Sequence, residues 1–173
     1  EDIKIKSYLD DSINKNNKKD IEWIVLEKNI EENKVLLLSK YNLLQSYAAH
    51  NYFSSDMRNI LNNEFIEKSF DEEEKKYILT TDLTNELIKI DEIKDKIFLL
   101  SCADVKEYFD NNEKKLATTY INQNDKFTTS PYFIMNTRKE DLPDLLYGDS
   151  MYFINSLGEI DYTTIGDMCG IRP

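Results

Sequence analysis

The sequence is poor in the residues that build most catalytic and cofactor sites. It has one histidine, two cysteines and four glycines among 173 residues. A nucleophile needs a base within hydrogen-bond reach, and His50 is the only imidazole available for that task. The sequence has no G-x-S-x-G elbow, no glycine loop that cradles phosphate and no H-E-x-x-H metal helix. These absences disfavour nucleotide-dependent enzymes and the common hydrolase classes.

The two cysteines, Cys102 and Cys169, are too few for a disulfide framework. A structural zinc site needs four ligands, and two cysteines with one histidine do not supply them. Because cysteine is among the most often buried residues, we expect two free, buried thiols. A single disulfide and a reactive thiol are the alternatives.

Long hydrophobic runs are also missing. The longest, residues 35–38 and 97–100, are four residues each, whereas a membrane-spanning helix needs about 20. We therefore expect no transmembrane segment. The sequence starts at Glu1 without a basic or apolar leader, so we expect that any signal or anchor has been removed.

The charge is strongly one-sided. The 33 acidic residues outnumber the 22 basic ones and give a net charge of -11. Such a chain repels phosphate backbones, and no stripe of Lys and Arg offsets this, so we expect no nucleic-acid partner. With 40% apolar residues the chain can form a core, and its length fits a single domain over residues 1–173.

Strand patterns lie near both ends of the sequence. Residues 3–6 alternate apolar and charged side chains, and residues 21–26 and 34–39 predict a hairpin that contains Trp23 as a core anchor. Residues 150–155 and 159–164 predict a second hairpin, whose turn contains the glycine that a tight turn favours.

Helix patterns lie between these hairpins. Residues 54–56 predict an N-cap for a helix with apolar residues at 57, 60, 61 and 65, and Asp71 with Glu74 predicts a capping box for a helix over 71–79. Ser101 with Asp104 predicts a third helix, with apolar residues at 105, 108 and 109. Strands at the ends and helices between them predict an α+β domain.

The remaining segments complete this organisation. Residues 97–100 and 132–135 read as strands, and the polar, acidic residues 80–95 as an insertion on the surface. The stretch from 119 to 131 reads as loop.

The sequence uses three arginines against 19 lysines, which makes each arginine informative. The guanidinium group of arginine presents five hydrogen-bond donors in one plane, and this geometry suits a partner in a fixed position. We expect Arg58, Arg138 and Arg172 to hold carbonyls or carboxylates within the fold; binding of an external ligand is the alternative.

Acidic residues in the loop 136–149 could bind calcium, which prefers six to eight oxygen ligands. The best local set is Asp141, Asp144 and Asp149, with Asn136 and Glu140 nearby. The spacing is not that of an EF-hand, so we expect no metal site, and we expect no cofactor.

Several motifs occur in a characteristic order along almost the whole chain. They are IEWIVL at 21–26, VLLLS at 35–39, SDMRNILN at 55–62 followed by Phe65, FDEEE at 70–74, IFLLS at 97–101, VKEYF at 105–109, ATTY at 117–120 and GIRP at 170–173. In this order the sequence resembles a domain of unknown function common in low-GC Gram-positive bacteria. That family is similar to the C-type-lectin-like superfamily, in the branch with the sulfatase-modifying and phage variable-protein domains.

The resemblance implies a C-type-lectin-like α+β fold: an antiparallel sheet of N- and C-terminal strands, two or three flanking helices and a long loop region. The family's W-W-L-R-S is YFIMNTR at 132–138, with Arg138 displaced. The calcium-lectin signatures E-P-N and W-N-D are absent, and the copper-binding cysteine pair of the formylglycine-generating enzymes is not recognisable.

The resemblance further implies a non-catalytic, extracellular or cell-surface module that binds a protein or glycan. Its binding face would be the long loop region, residues 120–149, where aromatic rings at Tyr120, Phe127, Tyr132 and Tyr147 could supply contact area. The alternative is that these rings cover the core. An enzyme of the sulfatase-modifying kind, using a cysteine, and an intracellular or phage-associated structural module are the alternative functions.

Overall fold

The computed structural model describes residues 4–6, 20–48, 52–53, 55–83, 93–118, 129–135, 150–164 and 166–173. These residues contain ten strands and five short α-helices. The strands are β1 (Lys4–Lys6), β2 (Asp20–Asn29), β3 (Lys34–Ser39), β4 (Leu44–Tyr47), β5 (Thr81–Asp82), β6 (Lys94–Asp95), β7 (Tyr132–Phe133), β8 (Ser150–Ile154), β9 (Ile160–Thr164) and β10 (Met168–Ile171). The helices are α1 (Asp56–Ile60), α2 (Ile66–Ser69), α3 (Glu72–Lys75), α4 (Cys102–Tyr108) and α5 (Asn112–Lys115). The predicted α+β class is confirmed.

The first sheet has the order β1-β2-β3 and contains the predicted N-terminal hairpin. β2 and β3 pair antiparallel with Trp23 opposite Ser39, and the register shifts between Val25 and Glu27. Asn33 has a φ of 53° in the connecting turn, a conformation that asparagine tolerates better than most side chains. Trp23 is half-buried and packs against the core, as expected of an anchor.

The second sheet has the order β4-β10-β7-β8-β9. It contains the predicted C-terminal hairpin of β8 and β9, with Met151 opposite Thr163. β10 pairs antiparallel with β4 and parallel with β7. This sheet joins the early strand β4 to C-terminal strands, as expected, but it contains one parallel pair, and the predicted N-terminal hairpin lies in a separate sheet.

Three helices, α1, α3 and α4, begin where the sequence places their caps, whereas α5 was not predicted. Ser55 caps α1, and both predicted capping boxes are present, Asp71 with Glu74 at α3 and Ser101 with Asp104 at α4. The helix predicted over 71–79 is shorter than expected, because α3 ends at Lys75. A π-helical turn over Leu61–Phe65 joins α1 to α2.

Residues 97–100 are largely buried but form no named strand, which corrects the expectation for them. Their backbone contacts the residues that follow β7, where the amide of Met135 donates to the carbonyl of Leu100 over 2.8 Å. The expected strand over 132–135 is likewise shorter, since β7 ends at Phe133.

Two clusters of buried side chains form the core. The first packs Met57, Leu61 and Phe65, the apolar side of the helix predicted from the sequence, with sheet residues that include Phe133 and Ile171. The second packs Val105 and Phe109 of the α4 region with Leu38, Ile134 and Ile154. Each cluster therefore unites a helix with strands that are distant in sequence.

The segment predicted as a surface insertion, residues 80–95, ends inside the fold. β5 and β6 pair antiparallel, with Thr81 opposite Asp95. Ile93 and Asp95 are 1% and 4% exposed, so the insertion cannot extend to residue 95. Residues 84–92 lie outside the described part of the chain.

A buried arginine joins the two larger sheets, at a place that we call the Arg172 junction (Ser39, Lys115, Tyr132 and Arg172). The Nε of Arg172 donates to the carbonyl of Ser39 over 2.9 Å, and Nη1 donates to the carbonyl of Lys115 and the hydroxyl of Tyr132, each over 3.1 Å. The guanidinium also lies 5.0 Å from the centroid of the Tyr132 ring. Arg172 therefore holds carbonyls within the fold, as its sequence predicts, and ties β3, α5 and β7 together.

We expect Gly158→Ala to be more destabilising than Gly166→Ala. Both glycines have a positive φ, 77° and 99°, so both substitutions strain the backbone. An added Cβ at Gly158 would also clash with the backbone carbonyl of Asn112, whereas at Gly166 it would meet no atom within 4 Å. Urea unfolding of the two variants measures the difference; equal losses of stability would show that the close approach to Asn112 contributes nothing.

Candidate functional site

A polar pocket with a volume of about 400 Å³ opens beside the first helix. We call it the Arg58 pocket, and the residues that line it include Ser55, Asp56, Arg58, Asn59, Asn63 and Asp95. Phe53 and Asn62 complete the lining. Most of these side chains belong to residues 56–63, so the winding of this helical stretch sets the positions of the polar groups in the pocket.

The polar face of that helix results from its residue spacing. Asp56, Asn59 and Asn63 are three and four residues apart, which places them on one side of a helix, while Met57 and Leu61 point into the core. The π-helical turn Leu61–Phe65 interrupts the regular winding beside the pocket. Such turns are rare and occur frequently at functional sites.

Asn62 lies in this turn and fixes the opposite wall of the pocket. Its Nδ2 donates to the carbonyl of Ile97 over 2.8 Å and to the carbonyl of Arg58 over 3.1 Å. Its Oδ1 accepts from the amides of Lys96 and Ile97 at 2.8 and 3.2 Å. The three bonds to Lys96 and Ile97 join the helix to the segment that carries Asp95, so Asn62 is a structural side chain.

The Arg58–Asp95 ion pair forms the floor of the pocket. The Nε of Arg58 lies 3.0 and 2.9 Å from the two carboxylate oxygens of Asp95, and Nη1 donates to the carbonyl of Phe53 over 3.1 Å. The hydrogen bond to Asp95 is the main cause that raises the pKa of Arg58. Arg58 therefore holds a carboxylate and a carbonyl within the fold, as the sequence predicts.

Burial differs between the two partners of this pair. The Asp95 side chain is 3% exposed, whereas that of Arg58 is 28% exposed and reaches solvent. The side chain of Tyr52 is fully buried next to the pair; burial, and then the charge of Asp95, raise the pKa of its hydroxyl. Tyr52 thus stays neutral and adds no charge to the pocket.

Four polar groups of the pocket have no hydrogen-bond partner within the described residues. Asn63 donates its Nδ2 to the carbonyl and the Oδ1 of Asn59, over 2.9 and 2.7 Å. This leaves the Nδ2 of Asn59 and the Oδ1 of Asn63 unused. The Nη2 of Arg58 and the carboxylate of the exposed Asp56 are unused as well. The pocket thus combines spare donors with spare acceptors.

Of the four aromatic residues predicted to bind a ligand, the structure describes only Tyr132. Tyr132 is 1% exposed, and its hydroxyl donates to the carbonyl of Lys115 over 2.7 Å. It is a core side chain, so our expectation that it could contact an external ligand is corrected. Tyr120, Phe127, Tyr147 and Arg138 lie outside the described residues.

The acidic residues considered for calcium, Asp141, Asp144, Asp149, Asn136 and Glu140, also lie outside the described residues. Within the described ranges, no three histidine, cysteine, aspartate or glutamate side chains come together as a candidate metal site.

Both cysteines are buried and neither forms a disulfide, as the sequence predicts. Cys102 is 2% exposed and Cys169 is 7% exposed. Burial, with a smaller contribution from the charge of Asp167, raises the pKa of Cys169 to about 11. A buried thiol with a raised pKa forms little thiolate near neutral pH, and the thiolate is the reactive species.

We expect both thiols to react with Ellman's reagent only when the protein unfolds. A cysteine introduced in place of Leu157, which is 68% exposed in the turn between β8 and β9, serves as the positive control. Its thiol should react rapidly in the native protein, so the variant should show one fast thiol and the unmodified protein none. A fast native thiol in the unmodified protein would contradict the burial of Cys102 or Cys169.

The model of the family described as Domain of unknown function (DUF6273) matches residues 20–173. The chain belongs to this family. Comparisons of the DUF6273 chain with curated proteins and with solved structures returned no match. In the described parts of the DUF6273 chain, no helix is both long and apolar enough to cross a membrane.

Sequence reasoning identified Arg58 but missed the pocket around it. A signal was present in the asparagines at 59, 62 and 63 of the DUF6273 chain. Asparagine is a poor helix former, because its side chain competes for backbone hydrogen bonds. Three such residues in a helix that otherwise packs well indicate that their side chains have another task. In the structure, Asn62 fixes the wall, and Asn59 and Asn63 face the pocket.

Proposed function

We propose that this DUF6273 domain is a non-catalytic binding module that holds a ligand from outside the chain in the Arg58 pocket. The observation that carries the proposal is the set of unused donors and acceptors, Nη2 of Arg58, Nδ2 of Asn59, Oδ1 of Asn63 and the Asp56 carboxylate, around one pocket of about 400 Å³. Volumes of about 300–1,000 Å³ are usual for small-molecule sites. Polar groups that have no partner among the described residues are available to a ligand.

The Arg58 pocket is held in place by hydrogen bonds within the fold. The Arg58–Asp95 pair and the four hydrogen bonds of Asn62 hold the pocket before any ligand arrives. A site that is already ordered loses less conformational entropy on binding, which increases affinity.

We also propose that the α+β fold is C-type-lectin-like and that the module acts outside the cell or at its surface on a protein or glycan. The order of the sequence motifs, and the placement of a hairpin at each end with helices between, support this reading. The binding face in the long loop region, with Tyr120, Phe127 and Tyr147, stays a prediction.

The alternative function, an enzyme of the sulfatase-modifying kind, requires a reactive cysteine. Cys102 and Cys169 lie in the core, and the pKa of Cys169 is raised to about 11 by burial. The described residues therefore give the alternative no accessible thiol, and the binding module is the better supported function.

Parallel binding of the protein to glycan and peptide arrays tests the proposed function. The test variant is Asn59→Ala with Asn63→Ala, which removes two unused pocket groups and should preserve the helix, because alanine is the best helix former. The control is Asn112→Ala, which removes an exposed amide of α5 outside the pocket. We expect a ligand that the unmodified protein and the control bind and that the pocket variant loses. Equal binding by all three proteins would contradict the pocket as the site.

A further inference from the structure

We infer that the Arg58 pocket takes a neutral, hydroxyl-rich ligand, a sugar unit. This inference rests on the proposed function and specifies the ligand's chemistry.

The charges of the pocket exclude an anionic ligand. Its charged lining residues are Arg58, Asp56 and Asp95, and Arg58 is compensated by its pair with Asp95 at 2.9 Å. The carboxylate of Asp56 then remains, on a chain whose net charge is -11. A phosphate or carboxylate would be repelled by both, since like charges in proximity are unfavourable.

The unused groups also disfavour a cation. An ammonium group can only donate hydrogen bonds, so it suits the Asp56 carboxylate and the Oδ1 of Asn63 but not the Nη2 of Arg58 or the Nδ2 of Asn59. A hydroxyl both donates and accepts. The hydroxyls of a sugar can therefore pair with the donors and with the acceptors of the pocket, which neither kind of ion can do.

An aromatic side chain completes the match to a sugar. Phe53 lines the pocket and is half-buried. Its ring packs edge-to-face on Tyr52, with 5.6 Å between the centroids and 75° between the planes, which fixes its orientation. A sugar ring presents C–H groups on its face, and an aromatic ring beside polar groups can contact that face while the polar groups bind the hydroxyls.

The dimensions favour a small ligand over a protein surface. A standard protein interface buries about 800 Å² on each partner, whereas this site is a concave pocket of about 400 Å³. A sugar unit can enter such a pocket, and a flat protein surface cannot.

Titration monitored by NMR tests the inference. The probes are D-glucose, D-galactose and N-acetyl-D-glucosamine as neutral sugars, methylammonium as a cation and acetate as an anion. The signals are the side-chain amides of Asn59 and Asn63 and the Nε–H of Arg58. We expect at least one sugar to shift these signals saturably, and the ions to leave them unchanged.

The pocket variant with Asn59→Ala and Asn63→Ala should bind that sugar about tenfold more weakly, because it loses two hydrogen bonds worth about 1.4 kcal/mol together. The Asn112→Ala control should bind it normally. If the double variant proves unstable, the same binding measurement is made with Asn59→Ala alone.

Each other outcome is decisive. If no sugar shifts the pocket signals, the inference is overturned. If methylammonium, acetate or an array peptide binds there instead, the inference fails while the proposed function stands. If neither the arrays nor the five probes involve the pocket, both fail.

Discussion

Replacing Arg172 with lysine is expected to lower the free energy of unfolding by about 3 kcal/mol. Arg172 is 2% exposed and donates to Ser39, Lys115 and Tyr132, which belong to three separate elements. Lysine has one donor group at the end of a flexible stem and cannot reach all three acceptors with the geometry of a planar fork. Acceptors left unpaired in the core account for the loss. Chemical denaturation measures it.

Tyr132→Phe separates the hydrogen bonds at the Arg172 junction from the ring contact. It keeps the ring 5.0 Å from the guanidinium but removes the hydroxyl that bonds Arg172 and Lys115. We expect a loss of about 1–2 kcal/mol. Tyr162→Phe, at a ring that is 47% exposed, is the matched control and should have no measurable effect. If Arg172→Lys changes stability as little as this control, the junction does not hold the sheets together.

Replacing Arg58 with methionine is expected to lower the free energy of unfolding by about 2 kcal/mol. The substitution leaves the carboxylate of Asp95, 3% exposed, without its cation. An unpaired charge in the core is costly, and the partial exposure of Arg58 reduces the figure from that of a fully buried pair. The free energy of unfolding of Arg58→Lys should lie between those of the unmodified protein and Arg58→Met, because lysine keeps the positive charge but cannot reproduce the hydrogen bonds of the guanidinium to both carboxylate oxygens. Thermal and urea unfolding measure both variants.

Two controls show whether the effect belongs to the Arg58–Asp95 pair. Lys40 and Glu22 form a pair at 2.7 Å in which each side chain is about half exposed, so Lys40→Met should cost less than about 1 kcal/mol. The double variant Arg58→Met with Asp95→Asn should recover part of the loss, because it removes the stranded charge. An unchanged melting temperature in Arg58→Met and Arg58→Lys would contradict the role of the pair.

The parts of the fold that the sequence predicts are those with local chemical causes. The capping boxes at Asp71 and Ser101 need only residues three positions apart, and the two hairpins need a short turn and strands next to it in sequence. Four strands were missed: β4, β5, β6 and β10. Of these, β4 and β10 are four residues long, and their pairing joins positions about 120 residues apart, such as Tyr47 and Met168. No local pattern encodes such a pairing.

The candidate site was predictable only in part for the same reason. The scarcity of arginine identified Arg58 as a side chain with a fixed partner. Its partner Asp95 is 37 residues away, in a segment whose polar composition indicated the surface. The sequence therefore gave no sign that this carboxylate is buried. The prediction for Tyr132 was wrong in the opposite sense, because a residue expected at the surface is buried. Its hydroxyl forms hydrogen bonds with Arg172 and Lys115 at the Arg172 junction.

A crystal structure of the protein bound to the ligand found on the arrays would show where the ligand binds. We expect ligand density in the Arg58 pocket, within hydrogen-bond distance of Asn59, Asn63 and the Nη2 of Arg58. Ligand density elsewhere, for example against residues 120–149, with the Arg58 pocket empty, would contradict the proposed site.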